Sequence, residues 1–213
     1  PTPIPTVPTP IPTMPVPTSQ PTDEPTNEPT GYPITLAPSN AFVLFQSSYT
    51  GTGNIKQGAT TPDAICAGDV AAFCSGSAEA FICSDTSTIP TLLGVNLGNH
   101  PDTDPIYGYD GASYNLLFND FSDSYGNSLN LPAGGLASAT GVTNNIWMGC
   151  TAVGAAREAG DNCGSWSIGT ELGGDGYWVN RVQTTSSWLG GIISNCGATG
   201  DMLCICHTGG GLD

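Results

Sequence analysis

AFVLFQSSYTGTGNI, residues 41–55, opens the folded part of the chain. Its first eight residues favour extended backbone. They are bounded by Ser39-Asn40 and, downstream, by Thr50-Gly51-Thr52-Gly53, so 41–48 reads as a first strand. Thr61-Pro62-Asp63 then opens a helix, with Thr as N-cap, Pro in the first turn and Asp near the positive end. Ile65, Cys66, Val70 and Phe73 recur on it at helical spacing, with Asp69 among them. Short strands follow at EAFICSD (79–85), NIWMGC (145–150), GSWSIG (164–169), YWVNRV (177–182) and DMLCICHT (201–208). Between the first and second of these, Thr86 to Gly141 is rich in Gly, Asn, Asp, Pro and Ser and reads mostly as loop. The pattern is that of an α+β domain over 39–208 with a Gly-rich end, 209–213, read as flexible.

Residues 1–38 are of another kind: PTPIPTVPTPIPTMPVPTSQPTDEPTNEPTGYPITLAP. Proline fixes φ near the polyproline II value, removes a donor and pushes the preceding residue toward extended backbone. The segment is expected to be an extended polyproline II rod rising about 3.1 Å per residue. PTPIPT recurs, and SQPT, DEPT and NEPT follow in steps of four. Thr2, Thr6, Thr9, Thr13, Thr18, Thr22, Thr26 and Thr30 stand beside proline or in these steps as O-glycan acceptors of a mucin-like stalk.

Of 213 residues only 10% are charged, with 18 acids against 3 bases and a formal net charge of −15. Such a chain repels phosphate backbones and anionic membrane surfaces, so nucleic acid is not an expected partner. With Lys56, Arg157 and Arg181 as its only bases, it cannot depend on salt bridges. No run of about 18 apolar residues is present, so no membrane span is expected. The eight cysteines, Cys66, Cys74, Cys83, Cys150, Cys163, Cys196, Cys204 and Cys206, lack C-x-x-C spacing and have only His100 and His207 as histidine company. A zinc site is disfavoured; an oxidised set points to a secreted or cell-surface protein. Because the first residue is Pro1, the chain reads as a mature or partial product with an export signal upstream.

The strand at 41–55, the helix TPDAICAGDVAAFC, the strand AFICSD, the segment YGYDGASYNLLFNDFSDSYGNSLNLP, NIWMGC, NCGSWS, Trp188 and the closing LCIC come in a telling order. They resemble the C-type lectin-like fold, closest to its endostatin-like branch of secreted modules, over roughly 41–207. NIWMGC is similar to that fold's W-I-G-L element. The resemblance implies a bridge from the first helix to the last strand, Cys66 with Cys204 (Cys206 as fallback), and a local late bridge, Cys163 with Cys196. Cys74 and Cys83 are then left to close a small loop, and Cys150 and Cys206 remain as partners.

Sugar-binding members of that fold hold calcium through an E-P-N or Q-P-D tripeptide and a W-N-D strand. Here Gln20-Pro21-Thr22 lies in the stalk, and Trp166-Ser167-Ile168 carries no carboxylate at the W-N-D position. No resident cofactor is therefore expected. The remaining calcium candidates are Asp102, Asp104 and Asp110, with a similar cluster at Asn119, Asp120 and Asp123; all read first as turn formers. His207 abuts Cys206 and His100 precedes a proline, with no Gly-x-Ser-x-Gly and no carboxylate pair singled out, so no enzyme is expected. Trp147 and Trp166 are expected in the core; Tyr107 and Tyr109, read in a loop, are the candidate ligand face. Two roles fit. One is a structural glycoprotein, a lectin-like head on a glycosylated rod whose partners are other copies in a fibre, wall or appendage. The other is an adhesin whose head binds glycans or proteins.

Overall fold

The computed structural model describes residues 35–56, 60–84, 88, 103–120, 134–151, 155, 162–167, 169, 175–182 and 191–209. The expected stalk through residue 34, with its eight candidate threonines, lies outside the described residues, as do His100, Asp102, Asp123, Trp188 and 210–213.

The described residues form a mixed α+β domain with a mostly sheet core. Its elements run β1 (Phe42–Gly51), α1 (Pro62–Gly68), β2 (Glu79–Ala80), β3 (Ile106–Tyr109), β4 (Tyr114–Phe118), α2 (Gly135–Thr140), β5 (Ile146–Trp147), α3 (Cys163–Trp166), β6 (Asp175–Val179), β7 (Ile192–Asn195) and β8 (Gly200–His207). One sheet has the order β4-β3-β1-β8-β5-β6-β7, with β2 also on β8. The first strand thus pairs antiparallel with the last, Phe42 opposite His207 and Phe45 opposite Cys204, while β3 runs parallel to β1 on its other side. No described helix is long and apolar enough to cross a membrane.

Every residue of β8 is buried. Alternate side chains of a strand point to opposite faces, so each face of β8 meets a different layer. Leu203 and Ile205 join Phe42, Leu44, Phe81, Ile106, Leu117, Leu136 and Val179 in an aliphatic layer. Met202, Cys204 and Cys206 join Phe45, Ile55, Cys66, Trp147, Trp166 and Cys196 in a layer of aromatics and bridges.

Helix α1 starts as its sequence signals, with the Thr61 hydroxyl accepting the Ala64 N–H at 3.1 Å and Pro62 at its head. It ends at Gly68, one turn earlier than the apolar spacing predicts. The Asp69 N–H donates to both the Ile65 and Cys66 carbonyls, closing the last turn. Val70 and Phe73 are therefore off the helix, and the chain turns so that Cys74 reaches β8.

Other expectations change in the same way. Of the strand expected over 79–85, only Glu79–Ala80 pairs as a ladder. Phe81 and Cys83 stay buried, their N–H groups donating to the Leu203 and Met148 carbonyls, each at 2.8 Å. The expected loop 86–141 contains β3, β4 and α2. Gly108 lets α2 lie directly on β3, since a Cβ there would stand 2.6 Å from the Ala139 carbonyl oxygen. The strand expected at 164–169 is instead a turn, α3, with φ of 54° at Cys163, 60° at Gly164, 54° at Ser165 and 64° at Trp166. The Asn162 side chain accepts from Ser165 N at 2.8 Å, and the Trp166 indole N–H donates to the Cys83 carbonyl at 2.8 Å. At the end read as flexible, Gly209 is buried against Asn40 and His207.

All eight cysteines are bridged: Cys66–Cys204, Cys74–Cys206, Cys83–Cys150 and Cys163–Cys196. The first and last are the pairs the resemblance implies. The expected Cys74–Cys83 and Cys150–Cys206 pairs are corrected. Cys204 and Cys206 project from the same face of β8, which puts both within reach of the segment that carries Cys66 and Cys74. Cys83 faces the aliphatic layer, where Cys150 also lies.

The Cys74→Ser variant is expected to leave Cys206, not Cys83, as the single labelled thiol after alkylation and peptide mapping. Because Cys66–Cys204 still closes the large loop in this variant, only the short ring between the two bridges opens, and stability should fall by about 3 kcal/mol, measured by chemical denaturation.

Candidate functional site

Four aromatic rings gather where β1, β3, β4 and the turn after α1 meet. Phe73 stands edge-on to Phe45, Tyr109 and Tyr114, with centroids 5.7, 4.9 and 5.5 Å away, and Tyr109 lies against Tyr114 at 4.8 Å. Phe45 and Tyr114 are buried, whereas Phe73 and Tyr109 are half-buried and carry the cluster to the surface. Such pairs contribute about 0.5–1.5 kcal/mol each beyond their buried area.

Beside this cluster opens a groove of about 200 Å³, lined by Phe45 and Gln46 of β1, Ala71, Tyr109 of β3, Asp110-Gly111, and Thr140-Gly141 at the end of α2. The β3–β4 turn is held by Asp110, whose Oδ1 accepts from Ala112 N at 2.9 Å and Ser113 N at 2.8 Å. The Tyr109 hydroxyl donates to the Gly111 carbonyl at 2.8 Å. Gln46 donates its amide to Asp201 Oδ2 at 3.3 Å. The Thr140 hydroxyl donates to the Leu136 carbonyl at 2.8 Å and lies at the floor.

Tyr107 and Tyr109, expected on a loop, both belong to β3 and are half-buried. Burial pushes the Tyr107 phenol above its usual value; burial and then the neighbouring Tyr109 do the same to Tyr114. Only Tyr109 lines the groove. Trp147 and Trp166 are fully buried and pack edge to face with centroids 6.0 Å apart.

The cation candidates separate. Asp110 is the turn former just described. Asp104 accepts from His207 Nε2 at 2.8 Å, while the Gly209 N–H donates to His207 Nδ1 at 3.0 Å. His207 is 4% exposed and edge-on to Phe42, so this pair ties the β3 entry to the end of β8. Among the described residues no three His, Cys, Asp or Glu side chains gather to hold a metal ion.

Two carboxylate arrangements escaped the sequence reading. Asp201 of β8 is fully buried. Its Oδ2 accepts from the Thr143 and Asn144 N–H groups, both 2.9 Å, and its Oδ1 accepts from the Thr50 hydroxyl at 2.8 Å and the Asn144 amide at 3.0 Å. Burial alone would raise its pKa, but bonds from Asn144, Thr50 and Thr143 together hold the carboxyl below the usual range. At Glu79 the balance is reversed. Burial first, then repulsion from Asp63 and the hydrogen bond between the two carboxyls, push Glu79 up to about 7. Asp63 Oδ1 also accepts from Ala80 N at 3.0 Å, so the pair sits where α1 meets β2. Neither arrangement has a sequence signature, because both partners come from distant segments.

No protein-family model matches the chain, and no curated protein matches it.

Folded Glu79 holds its proton more tightly than the unfolded chain does. The stabilisation is complete below the ordinary value of 4.5 and is lost as pH rises through about 7. Glu79→Gln should therefore flatten the fall in melting temperature between pH 5 and pH 8 (probe values spanning about that window). Asp201 acts in the opposite sense, since stability from a depressed carboxyl is lost as pH falls below the usual carboxylate range. At neutral pH, Asp201→Ala leaves two backbone N–H groups, a hydroxyl and the Asn144 and Gln46 amides without this acceptor. It should cost about 3 kcal/mol, a fall of about 6–12 °C in a melting curve.

Proposed function

We propose that the chain is a non-enzymatic, extracellular structural glycoprotein. A C-type lectin-like, endostatin-like head sits on an O-glycosylated polyproline II stalk, and copies assemble into a fibre, wall or appendage. Four disulfides are compatible with an extracellular location. The lectin-like reading is supported by the pairing of first with last strand and by the bridges Cys66–Cys204 and Cys163–Cys196.

The observation that carries the structural reading is where the chain enters the head. Ala41 N donates to the Thr208 hydroxyl at 3.1 Å, and Thr208 N donates to the Ala41 carbonyl at 2.9 Å. Residues 41 and 208 are thus neighbours, and the head is a knob whose entrance and exit share one point. Tension arriving from the stalk meets β1, which is hydrogen-bonded on both sides, by β3 and by β8. Its partner β8 is in turn bolted by Cys204 and Cys206 to the segment after Thr61. Disulfides hold under a steady pull in a way that isolated hydrogen bonds do not, because breaking them requires chemistry.

A second reading, an adhesin whose head binds a ligand, is favoured by the groove beside Tyr109.

The natively secreted protein tests the first reading. Intact mass is expected to exceed the sequence mass by several glycans, removed together with the segment 1–34 on proteolysis, and negative-stain images should show repeating heads along a thread. A monomer of unmodified mass at high concentration would end the structural-glycoprotein reading.

A further inference from the structure

We propose that the groove lined by Phe45, Gln46, Tyr109, Asp110 and Thr140 is the docking site for the neutral, proline-rich segment Pro1–Pro17 of another copy of the chain. This docking rests on the structural-glycoprotein reading and supplies its contact between copies.

Charge selects the segment. Asp23, Glu24 and Glu28 are the only acids of residues 1–38, and the rest of the 18 lie beyond them. At the groove Asp110 is exposed on the rim, and the buried Asp201 holds Gln46 from below. Such acidic ground repels residues 23–28 and admits the uncharged residues 1–22. Within these, Ile4-Pro5, Val7-Pro8, Ile11-Pro12, Met14-Pro15 and Val16-Pro17 set an aliphatic residue before proline, whereas Pro21, Pro25 and Pro29 follow Gln20, Glu24 and Glu28. Length selects whose groove is filled. As a polyproline II rod the stretch from Pro17 to Ala41 would reach about 70 Å, whereas Gln46 is about 17 Å beyond Ala41 along β1. A stiff rod thus carries its apolar pairs away from its own groove and presents them to the next copy. A head-to-tail contact that does not close builds a thread.

The lining suits such a rod. Phe45 and Tyr109, the latter packed on Phe73 and Tyr114, form an aromatic wall. Polyproline II ligands dock on walls of this kind because their shape is already set and little entropy is lost. Proline has no N–H, and the carbonyls of the rod have no partners within it, so the ligand brings acceptors and the site must supply a donor. The Gln46 amide carries two N–H groups. One is held by Asp201 Oδ2, which fixes the side chain, and the second is the donor for a carbonyl of the rod. About 200 Å³ is room for one aliphatic–proline step, less than a drug-sized pocket. Three residues make one turn of the rod, so Ile4 and Val7 share an edge while Thr6 and Thr9 fall on another. Glycans on Thr6 and Thr9 therefore leave that apolar edge open.

The test uses the full secreted chain, followed by sedimentation velocity, negative-stain imaging and amide chemical shifts. An unglycosylated peptide of residues 1–17, added to the dilute chain, should shift Gln46, Tyr109, Gly111 and Gly141 and in excess should dissolve the threads. Heads on a thread should stand about 70–120 Å apart, the reach of the rod. Val7→Asp with Ile11→Asp lies outside the head and should weaken self-association about 10-fold or more. Ser19→Asp with Gln20→Asp, equal in charge but off the apolar pairs, should change it less than about 2-fold. Tyr109→Ala should weaken it about 10-fold as well, with a melting curve as the control for folding. No shift at the groove with the peptide overturns the proposal. So do shifts produced by methyl glycosides of neutral hexoses and not by the peptide. Threads that persist unchanged in both Tyr109→Ala and the Val7→Asp, Ile11→Asp chain overturn the contact alone and leave the fibre to another surface. A chain that stays monomeric at every concentration overturns contact and fibre together.

Discussion

The pairing of β8 with β1 is the constraint from which the rest of the head follows. The two strands stand at opposite ends of the folded sequence, and bringing them together closes nearly the whole domain into one loop. That closure has a large entropic cost in a chain with few local contacts of its own. Two bridges on the same face of β8, with sequence separations of 138 and 132 residues, remove much of that cost from the unfolded side. Once β8 is in place its odd residues organise the aliphatic layer and its even residues the layer of rings and sulfurs. Asp201, at the start of the same strand, gathers Thr50 at the end of β1 and the 143–144 turn before β5. One strand thus sets the sheet order on both of its sides.

A chain so poor in bases explains why hydrogen-bonded carboxylates and disulfides take the place of ion pairs. Among the described residues no Lys or Arg pairs with an acid, and the one histidine–carboxylate contact is His207 with Asp104. Asp201 is stabilised by neutral donors, and Glu79 is accommodated by retaining a proton. Both solutions let an acid sit inside without a cation, and they respond to pH in opposite directions.

Much of the frame is legible in the residues. Thr61-Pro62-Asp63 marks the start of α1 because capping is local chemistry, and AFVLFQSS and DMLCICHT mark β1 and β8 because their composition suits a pleated sheet. Trp147 and Trp166 are core as their size and setting suggest. Other features depend on partners far away in sequence. IYGY and YNLLF sit among turn-forming residues, and only the β1 edge and the α2 surface reveal them as strands. Cys74 looks nearest to Cys83 along the chain, yet α1 ends early and delivers it to Cys206. The groove combines 45–46, 71, 109–111 and 140–141, four segments that no spacing rule joins. Of its residues only Tyr109 and Asp110 stand out from the sequence, Tyr109 as a ligand-face candidate and Asp110 as a turn former and cation candidate. The polar Gln46, which ends the apolar run at the start of β1, is a further hint.

The turn at Cys163–Trp166 shows what such tertiary control can enforce. Its residues, Gly apart, favour right-handed or extended backbone, yet all four take φ between 54° and 64°. Left-handed backbone costs about 1–2 kcal/mol per non-glycine residue, so Cys163, Ser165 and Trp166 together cost about 3–6 kcal/mol. Against this stand a bridge with a sequence separation of 33 residues, worth about 3–4 kcal/mol, and the burial of an indole, worth about 2–3 kcal/mol. The two sides nearly cancel, which is what a turn imposed from outside should look like. Gly176 completes the arrangement. A Cβ there would fall 2.5 Å from the Cys163 sulfur and 2.7 Å from the Trp147 ring, so only glycine lets β6 close over bridge and tryptophan together. The segment is left-handed because its sulfur, its indole and its neighbour leave no room for the strand that its own residues prefer.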